Sequence, residues 1–339
     1  MNTLILNADE SGSIRTCADI IRQGGLCAFP TETVYGLGAN GLDKEAVEKI
    51  FKAKGRPQDN PLILHVSSFE EACKLWREIP MSAYKLAEVF WPGPLTIICK
   101  KSDIVPDVVC AGLDTVAVRM PSNSVAHGLI ERAQVPIAAP SANLSGKPSP
   151  TESEHVVADM TGRIDAILCG SSCKYGVEST VISLENEPVI LRPGAITPMQ
   201  ISACIGEVKV SGSVLSPLKN GEKVQSPGMK YKHYSPDAKV LAFSGNTREL
   251  AEKICREYDK HKADRCIILA SEECALAYGD RNIEVIGQRR DPYTLCSNLF
   301  SAFRRYNGYD YILCETVEAH DAGLAYMNRL LRACGFDVM

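Results

Sequence analysis

Short apolar runs rich in β-branched residues alternate with stretches of helical period along this 339-residue chain, and that alternation limits the fold more than any other feature. Leu26–Phe29, Leu62–Val66, Leu95–Cys99, Thr115–Val118, Ile137–Ala139, Ile167–Cys169, Thr180–Ser183 and Val189–Leu191 are bounded by Gly or Pro and read as strands. Asp43–Lys54 reads as a helix, because Asp43 can cap it and Ala46, Val47, Ile50 and Phe51 share one face. Ser82–Phe90, Ser124–Ala133 and Thr151–Met160 read as further helices. Together they predict one α/β domain over residues 1–205.

Residues 206–236 break the pattern and read as a linker. Glu207–Lys223 has no sustained period, and Ser226-Pro-Gly-Met-Lys-Tyr-Lys-His-Tyr-Ser-Pro236 carries two Ser-Pro pairs and a glycine that oppose helix and central strand. Tyr231, His233, Tyr234 and two lysines are more than a passive spacer needs. From residue 237 onward the strands Lys239–Phe243, Cys266–Ala270, Ile283–Ile286 and Tyr311–Cys314 alternate with helical stretches Arg248–His261, Tyr293–Tyr306 and Ala322–Cys334. That order predicts a smaller Rossmann-like parallel sheet covered on both faces. No G-x-G-x-x-G follows its first strand, so a dinucleotide site there is not supported.

Composition removes several function classes. Thirty-seven Lys and Arg face 41 Asp and Glu, a net charge of −4, and neither half of the chain has the basic excess that marks a nucleic-acid binder. No run of 18 apolar residues exists and the N-terminus lacks a signal-peptide pattern, so the expected setting is cytoplasmic with no membrane association. The fourteen cysteines contain no C-x-x-C pair and read as reduced core residues.

Chemistry concentrates at the strand ends. Phe29-Pro-Thr-Glu-Thr-Val-Tyr-Gly-Leu-Gly38 crowds hydroxyls, a carboxylate and glycines into a strand–loop junction, where α/β folds place ligands. Phe51-Lys-Ala-Lys-Gly-Arg-Pro-Gln-Asp-Asn-Pro61 sets Lys54 and Arg56 on a rigid turn, from which both charges would project as a fork for phosphate or carboxylate. His65, inside a strand, reads as a satisfied core histidine. Arg119, flanked by apolar strand residues, must meet an anion or carry a desolvation cost. Pro136-Ile-Ala-Ala-Pro-Ser-Ala-Asn-Leu-Ser-Gly-Lys-Pro-Ser149 and Gly176-Val-Glu-Ser-Thr180 supply neutral hydroxyls and amides, and Arg192 ends another strand with a guanidinium. Walker A, G-x-S-x-G and H-E-x-x-H are all absent, as is any i,i+4 His pair. These residues describe an anion site without a covalent nucleophile, suited to phosphoryl or nucleotidyl transfer by positioning and electrostatics.

FPTETVYGLG, KAKGRPQDNPL, Trp91-Pro-Gly-Pro-Leu-Thr96, VRMP, APSAN-x-SG and GVEST followed by ILRPG, at these spacings, resemble the YrdC-like L-threonylcarbamoyladenylate synthases in their long two-domain form. The resemblance implies a nucleotidyltransferase that makes threonylcarbamoyl-AMP and pyrophosphate from L-threonine, bicarbonate and ATP, for modification of adenosine 37 in tRNAs reading codons that begin with A. It implies a twisted mixed sheet for the catalytic domain, Lys54, Arg56, Ser141 and Asn143 as catalytic residues, and Thr33, His65, Arg119 and Ser179 as the threonine site. It places ATP on Arg56, Asn60, Thr115, Ala139 through its backbone, Ser141, Ser149, Arg192 and Tyr234. Magnesium would arrive with ATP rather than on protein side chains, with no organic cofactor. The partner would be the downstream tRNA threonylcarbamoyl-transfer machinery, with direct tRNA contact left open. The linker is expected to fold over the groove, Tyr234 above the nucleotide and Lys230 or Lys232 near phosphates. Two alternatives use the same scaffold: an RNA-binding or nucleotide-sensing module, and a related carbamoyl-adenylate enzyme.

Overall fold

The structure is a computed structural model and describes residues 2–217 and 234–339. Its first part runs β1 (Leu4–Asn7), α1 (Ser13–Arg22), β2 (Cys27–Phe29), β3 (Gly36–Asn40), α2 (Lys44–Lys54), β4 (Ile63–His65), α3 (Phe69–Leu75), α4 (Met81–Phe90), β5 (Leu95–Lys100), α5 (Asp107–Cys110) and β6 (Thr115–Arg119). It continues through α6 (Ser124–Ala133), β7 (Ile137–Ala138), α7 (Ser153–Met160), β8 (Ala166–Cys169), β9 (Thr180–Ser183), β10 (Val189–Arg192), α8 (Pro198–Ile205) and β11 (Lys209–Val210). The second part is β12 (Lys239–Phe243), α9 (Thr247–Lys260), β13 (Cys266–Ser271), β14 (Ile283–Gly287), α10 (Pro292–Arg305), β15 (Tyr311–Glu315) and α11 (Asp321–Ala333).

Eleven strands form one mixed sheet in the order β1-β8-β2-β3-β7-β4-β6-β5-β9-β10-β11. The order gathers the sequence motifs at its middle. Leu37 N–H donates to the Pro140 carbonyl and Ala142 N–H to that of Tyr35, both at 2.8 Å, so the β3 entrance lies against the loop after β7. On the other side β4 pairs with β6 in a register that sets His65 opposite Arg119. Helix α2 starts where Asp43 accepts hydrogen bonds from the Glu45 and Ala46 amides and stops at Gly55, whose φ of 62° lies in the left-handed region that glycine adopts without a Cβ clash. It buries Ala46, Val47, Ile50 and Phe51 on one face of the sheet. Each of the larger three contributes about 1.5–3 kcal/mol by leaving water. The opposite face is closed by α1 and α6, through Cys17, Ile21, Leu129 and Ile130.

The smaller sheet is wholly parallel, in the order β12-β15-β13-β14. Helix α9 covers one face with Leu250, Ala251 and Ile254, and α10 and α11 cover the other. The outer side of α10 and α11 packs on the first part: Val34, Val177 and Tyr234 belong to the same apolar cluster as Leu299, Phe300 and Leu330. Part of the stretch that reads as linker is ordered against both. Lys209–Val210 extends the large sheet parallel to β10, and Asn328 on α11 donates to the Val214 carbonyl at 2.6 Å. Pairing with a neighbouring strand, rather than any local period, makes β11.

Candidate active site

Arg119, at the end of β6, is buried and donates three hydrogen bonds. Its Nε donates to the Gly93 carbonyl at 3.2 Å, Nη1 to the Thr33 hydroxyl at 2.9 Å and Nη2 to Glu32 Oε1 at 2.6 Å. Gly93 lies in the Trp91–Thr96 motif, which is why that motif sits beside the site. Burial works to raise the Glu32 carboxyl, but the Arg119 charge and hydrogen bond outweigh it and hold it below its ordinary value. A second carboxylate arriving here therefore shares a guanidinium already shaped by Glu32 and Thr33.

His65 is buried opposite, and its Nδ1 has no hydrogen-bond partner among the described residues. Burial first, and the Arg119 charge next, push its imidazole down to about 3. It is neutral at pH 7 and can exchange one hydrogen bond with a hydroxyl group. The expectation of a satisfied core histidine is thus replaced by a cavity-lining one with an unspent polar atom.

Across the cavity, the Ser179 hydroxyl lies 2.7 Å from Thr96 Oγ1 and accepts from Arg192 Nη2 at 3.1 Å. Arg192 Nε donates to the Ser179 carbonyl at 3.0 Å. Burial lowers the Arg192 guanidinium to about 10, which leaves it charged at neutral pH. The Ser149 hydroxyl donates to Glu178 Oε1 at 2.5 Å. Tyr234, at a φ of 67°, is buried over this end and stacks on Phe300 with centroids 5.1 Å apart. Its neighbour Ser235 ties the chain to both parts: its amide donates to the Gly146 carbonyl at 3.1 Å and its hydroxyl to that of Ala333 at 3.0 Å.

Lys54 and Arg56 do not form the expected fork. Lys54 is buried, and its Nζ donates to the carbonyl oxygens of Ser141 at 2.5 Å and Asn143 at 2.6 Å. Burial, then the nearby Arg56 charge, pushes its ammonium well below the ordinary lysine value. Ser141 Oγ in turn donates to Asn143 Oδ1, and the Asn143 amide donates to the Leu144 and Lys147 carbonyls. Lys54 and Asn143 are thus a brace beneath the Ser-x-Asn loop, and of the two cations Arg56 is the one that lines the cavity.

One cavity collects Thr33, Arg56, His65, Arg119, Ala139, Ser141, Asn143, Ser149, Ser179, Arg192 and Tyr234. Lys54, Asn60 and Thr115 are not among its walls. Asn60 is fully buried, its carbonyl accepts from Arg56 Nη2 at 3.4 Å, and both polar atoms of its side chain lack partners among the described residues. Thr115 opens β6 four residues before Arg119 and lines a separate cavity with Ile98, Asp114 and Leu191. Lys230 and Lys232 lie outside the described residues, as does the linker from Ser226 to His233. Sequence reasoning missed Thr31, Lys147 and Glu178 in the wall and Glu32 behind it. The two glutamates had a usable signal: each is a charge inside a motif otherwise made of hydroxyls and small residues, and such a charge requires a cation.

Comparison with known proteins finds two family models in sequence order. The Sua5/YciO/YrdC family model, described as telomere recombination, matches residues 19–194, and the threonylcarbamoyl-AMP synthase C-terminal domain model matches residues 196–335. A threonylcarbamoyl-AMP synthase of Pyrococcus abyssi is 46% identical over 99% of both chains. One of Bacillus subtilis is 45% identical over 95% of this chain and 93% of that one. The crystal structure of P. abyssi Sua5 complexed with L-threonine superposes with a TM-score of 0.93 over 99% of each chain, at 46% identity. With both models matched in order and relatives this similar across the whole length, the chain belongs to the two-domain threonylcarbamoyl-AMP synthase family.

Proposed function

We propose that this cavity joins L-threonine, bicarbonate and ATP into L-threonylcarbamoyl-AMP and pyrophosphate. The observation that carries the reading is the pair of buried arginines on one cavity, Arg119 and Arg192, with the unpartnered His65 Nδ1 and the Thr33 and Ser179 hydroxyls also in its wall. A carboxylate belongs on Arg119, a hydroxyl on His65, and a nucleotide at the Arg192, Ser149 and Tyr234 end. The P. abyssi relative crystallised with L-threonine supports the amino-acid end.

The threonine amine adds to bicarbonate, losing water, to give an N-carboxylate. One of its oxygens then attacks the α-phosphorus of ATP, and the bond to pyrophosphate breaks. Two anions must approach, so a fixed cation near the encounter lowers the barrier, and Arg56, a cation of the cavity wall, takes that part in this reading. Lys54 and Asn143 act through the loop they brace, holding the Ser141 hydroxyl in place. ATP enters as its magnesium complex. Glu32 and Glu178 are tied to Arg119 and Arg329, which supports a metal carried by the triphosphate rather than by these carboxylates. Tyr234 and the buried walls exclude water from the labile carbamate.

The product would be consumed by tRNA threonylcarbamoyl-transfer machinery acting on adenosine 37. No helix among the described residues is long and apolar enough to cross a membrane. Pyrophosphate release from ATP tests the proposal: it requires both L-threonine and bicarbonate, and release that ignores either one refutes it.

A further inference from the structure

Two arginines of the second part converge on Ser149 without touching the cavity. Arg329 on α11 is wholly buried. Its Nε donates to Glu178 Oε2 at 3.0 Å, Nη2 to the Glu178 carbonyl at 3.1 Å and Nη1 to the Pro193 carbonyl at 2.5 Å. The other oxygen of Glu178 accepts a hydrogen bond from the Ser149 hydroxyl at 2.5 Å. Arg304 on α10 grips the preceding residue, donating to the Pro148 carbonyl from Nε at 3.1 Å and from Nη2 at 2.6 Å, and pairs with Asp159 at 2.8 Å. Ser149 and Glu178 line the cavity, while Arg304 and Arg329 do not.

A wholly buried guanidinium is an expensive way to glue two domains, since apolar residues of similar volume serve as well or better. What the charge does here is specific. Burial alone would raise the Glu178 carboxyl, and Arg329 first, then Arg192, bring it below its ordinary value. An ionised Glu178 accepts hydrogen bonds only, so the Ser149 proton must turn toward it. Ser149 then offers the cavity lone pairs and no donor. It suits a ribose hydroxyl or the adenine amino group, not a phosphate oxygen.

We propose that Arg329 is a positioning residue for the nucleotide: through Glu178 it fixes Ser149 as a hydrogen-bond acceptor, so the second domain sets ATP affinity from outside the site. The proposal rests on the reading of this cavity as the ATP and threonine site. It gives the C-terminal domain a part in substrate binding that its own sequence does not announce.

The test uses the full chain with Arg329→Met, Arg329→Lys and the double variant Glu178→Gln with Arg329→Met. ATP affinity is measured directly by calorimetry, so the result does not depend on turnover, and KM for L-threonine is measured beside it. Arg329→Met is expected to weaken ATP about tenfold or more, the effect of losing one charge-assisted contact of about 1.4 kcal/mol, while KM for L-threonine changes less than about twofold. Arg329→Lys, which keeps the charge and loses the fork, falls between. If Arg329→Met does not fold, the double variant, which removes both charges of the Arg329–Glu178 pair together, supplies the comparison. In wild type, 2′-deoxy-ATP, 3′-deoxy-ATP or purine riboside triphosphate binds more weakly than ATP, and the variants narrow that gap. Unchanged ATP affinity in folded variants, or parallel weakening of ATP and L-threonine, overturns the proposal. Wild-type ATP binding without threonine-dependent turnover would instead refute the synthase reading and leave this one standing.

Discussion

Lys54 Nζ lies 2.6 Å from the carbonyl oxygen of Asn143, 89 residues further along the chain. That contact closes the end of α2 onto the loop after β7 and makes the lysine a brace. Arg56, two residues on, lines the cavity instead. The two cations should therefore fail differently. Lys54→Met leaves two buried carbonyl oxygens without their charged donor and should lower both melting temperature and activity, at about 1–3 kcal/mol of stability. Arg56→Ala should change the melting temperature little and slow synthesis by about 10²–10³-fold. Thermal melts beside a turnover assay decide it; equal stability loss in both variants, or full activity in Arg56→Ala, contradicts the assignment.

Selectivity follows from the wall around His65. Valine matches threonine in shape but lacks the hydroxyl, which leaves His65 Nδ1 buried and unpaired. A site built to hydrogen-bond a hydroxyl rejects such an analogue by about 10⁴-fold, whereas serine, short of one methyl, should lose only about 10–200-fold. Competing turnover of the three amino acids measures this directly. Comparable rates for threonine and valine would remove His65 from the threonine site.

The same histidine sets a pH dependence. Its value of about 3 in the folded protein lies below the ordinary 6.5, so between these the unfolded chain holds a proton that the folded one refuses. Stability from this group is complete above pH 6.5 and falls as pH drops toward 3. His65→Gln, which has no such proton to take up, should lose less melting temperature across that window. Identical melting curves for the two proteins from pH 7 to pH 4 would contradict the buried neutral imidazole.

Gly194 follows Arg192 by two residues, where backbone packs directly on backbone. A Cβ placed there would stand 2.4 Å from Thr180 N and 2.7 Å from the Glu178 carbonyl oxygen. Gly194→Ala must push the Glu178–Thr180 segment away, moving Ser179 and Glu178 together, and should cost about 1–3 kcal/mol. Denaturant melts and KM values for both substrates report it. An alanine variant with wild-type stability and KM would show that this backbone contact is not tight.

The strands that a local pattern could show were visible in the sequence: Thr180–Ser183 and Lys239–Phe243 coincide with β9 and β12. Strand β3 was not, because Gly36-Leu-Gly-Ala-Asn40 has little strand propensity and is held by its partners β2 and β7. Nor was β1, an exposed edge without apolar alternation. Helix α8 did carry a readable start, a Thr197 and Gln200 capping box with Pro198 at its first position, in a segment too short to show a period. Residue types pointed to loops that the fold brings to one cavity. What the sequence could not show was which polar atoms those loops spend on each other. The Lys54–Asn143 brace and the Arg329–Glu178 pair span 89 and 151 residues, and only the folded chain brings them together.

The most direct measurement follows the carbon of bicarbonate. Incubated with ATP, L-threonine and carbon-labelled bicarbonate, the protein should yield an adenylate whose mass contains threonine, AMP and the labelled carbon, with one pyrophosphate released for each. Omitting threonine or bicarbonate should abolish both signals together. ATP consumed to AMP or ADP without a labelled adenylate, or pyrophosphate released in the absence of threonine, would contradict the account.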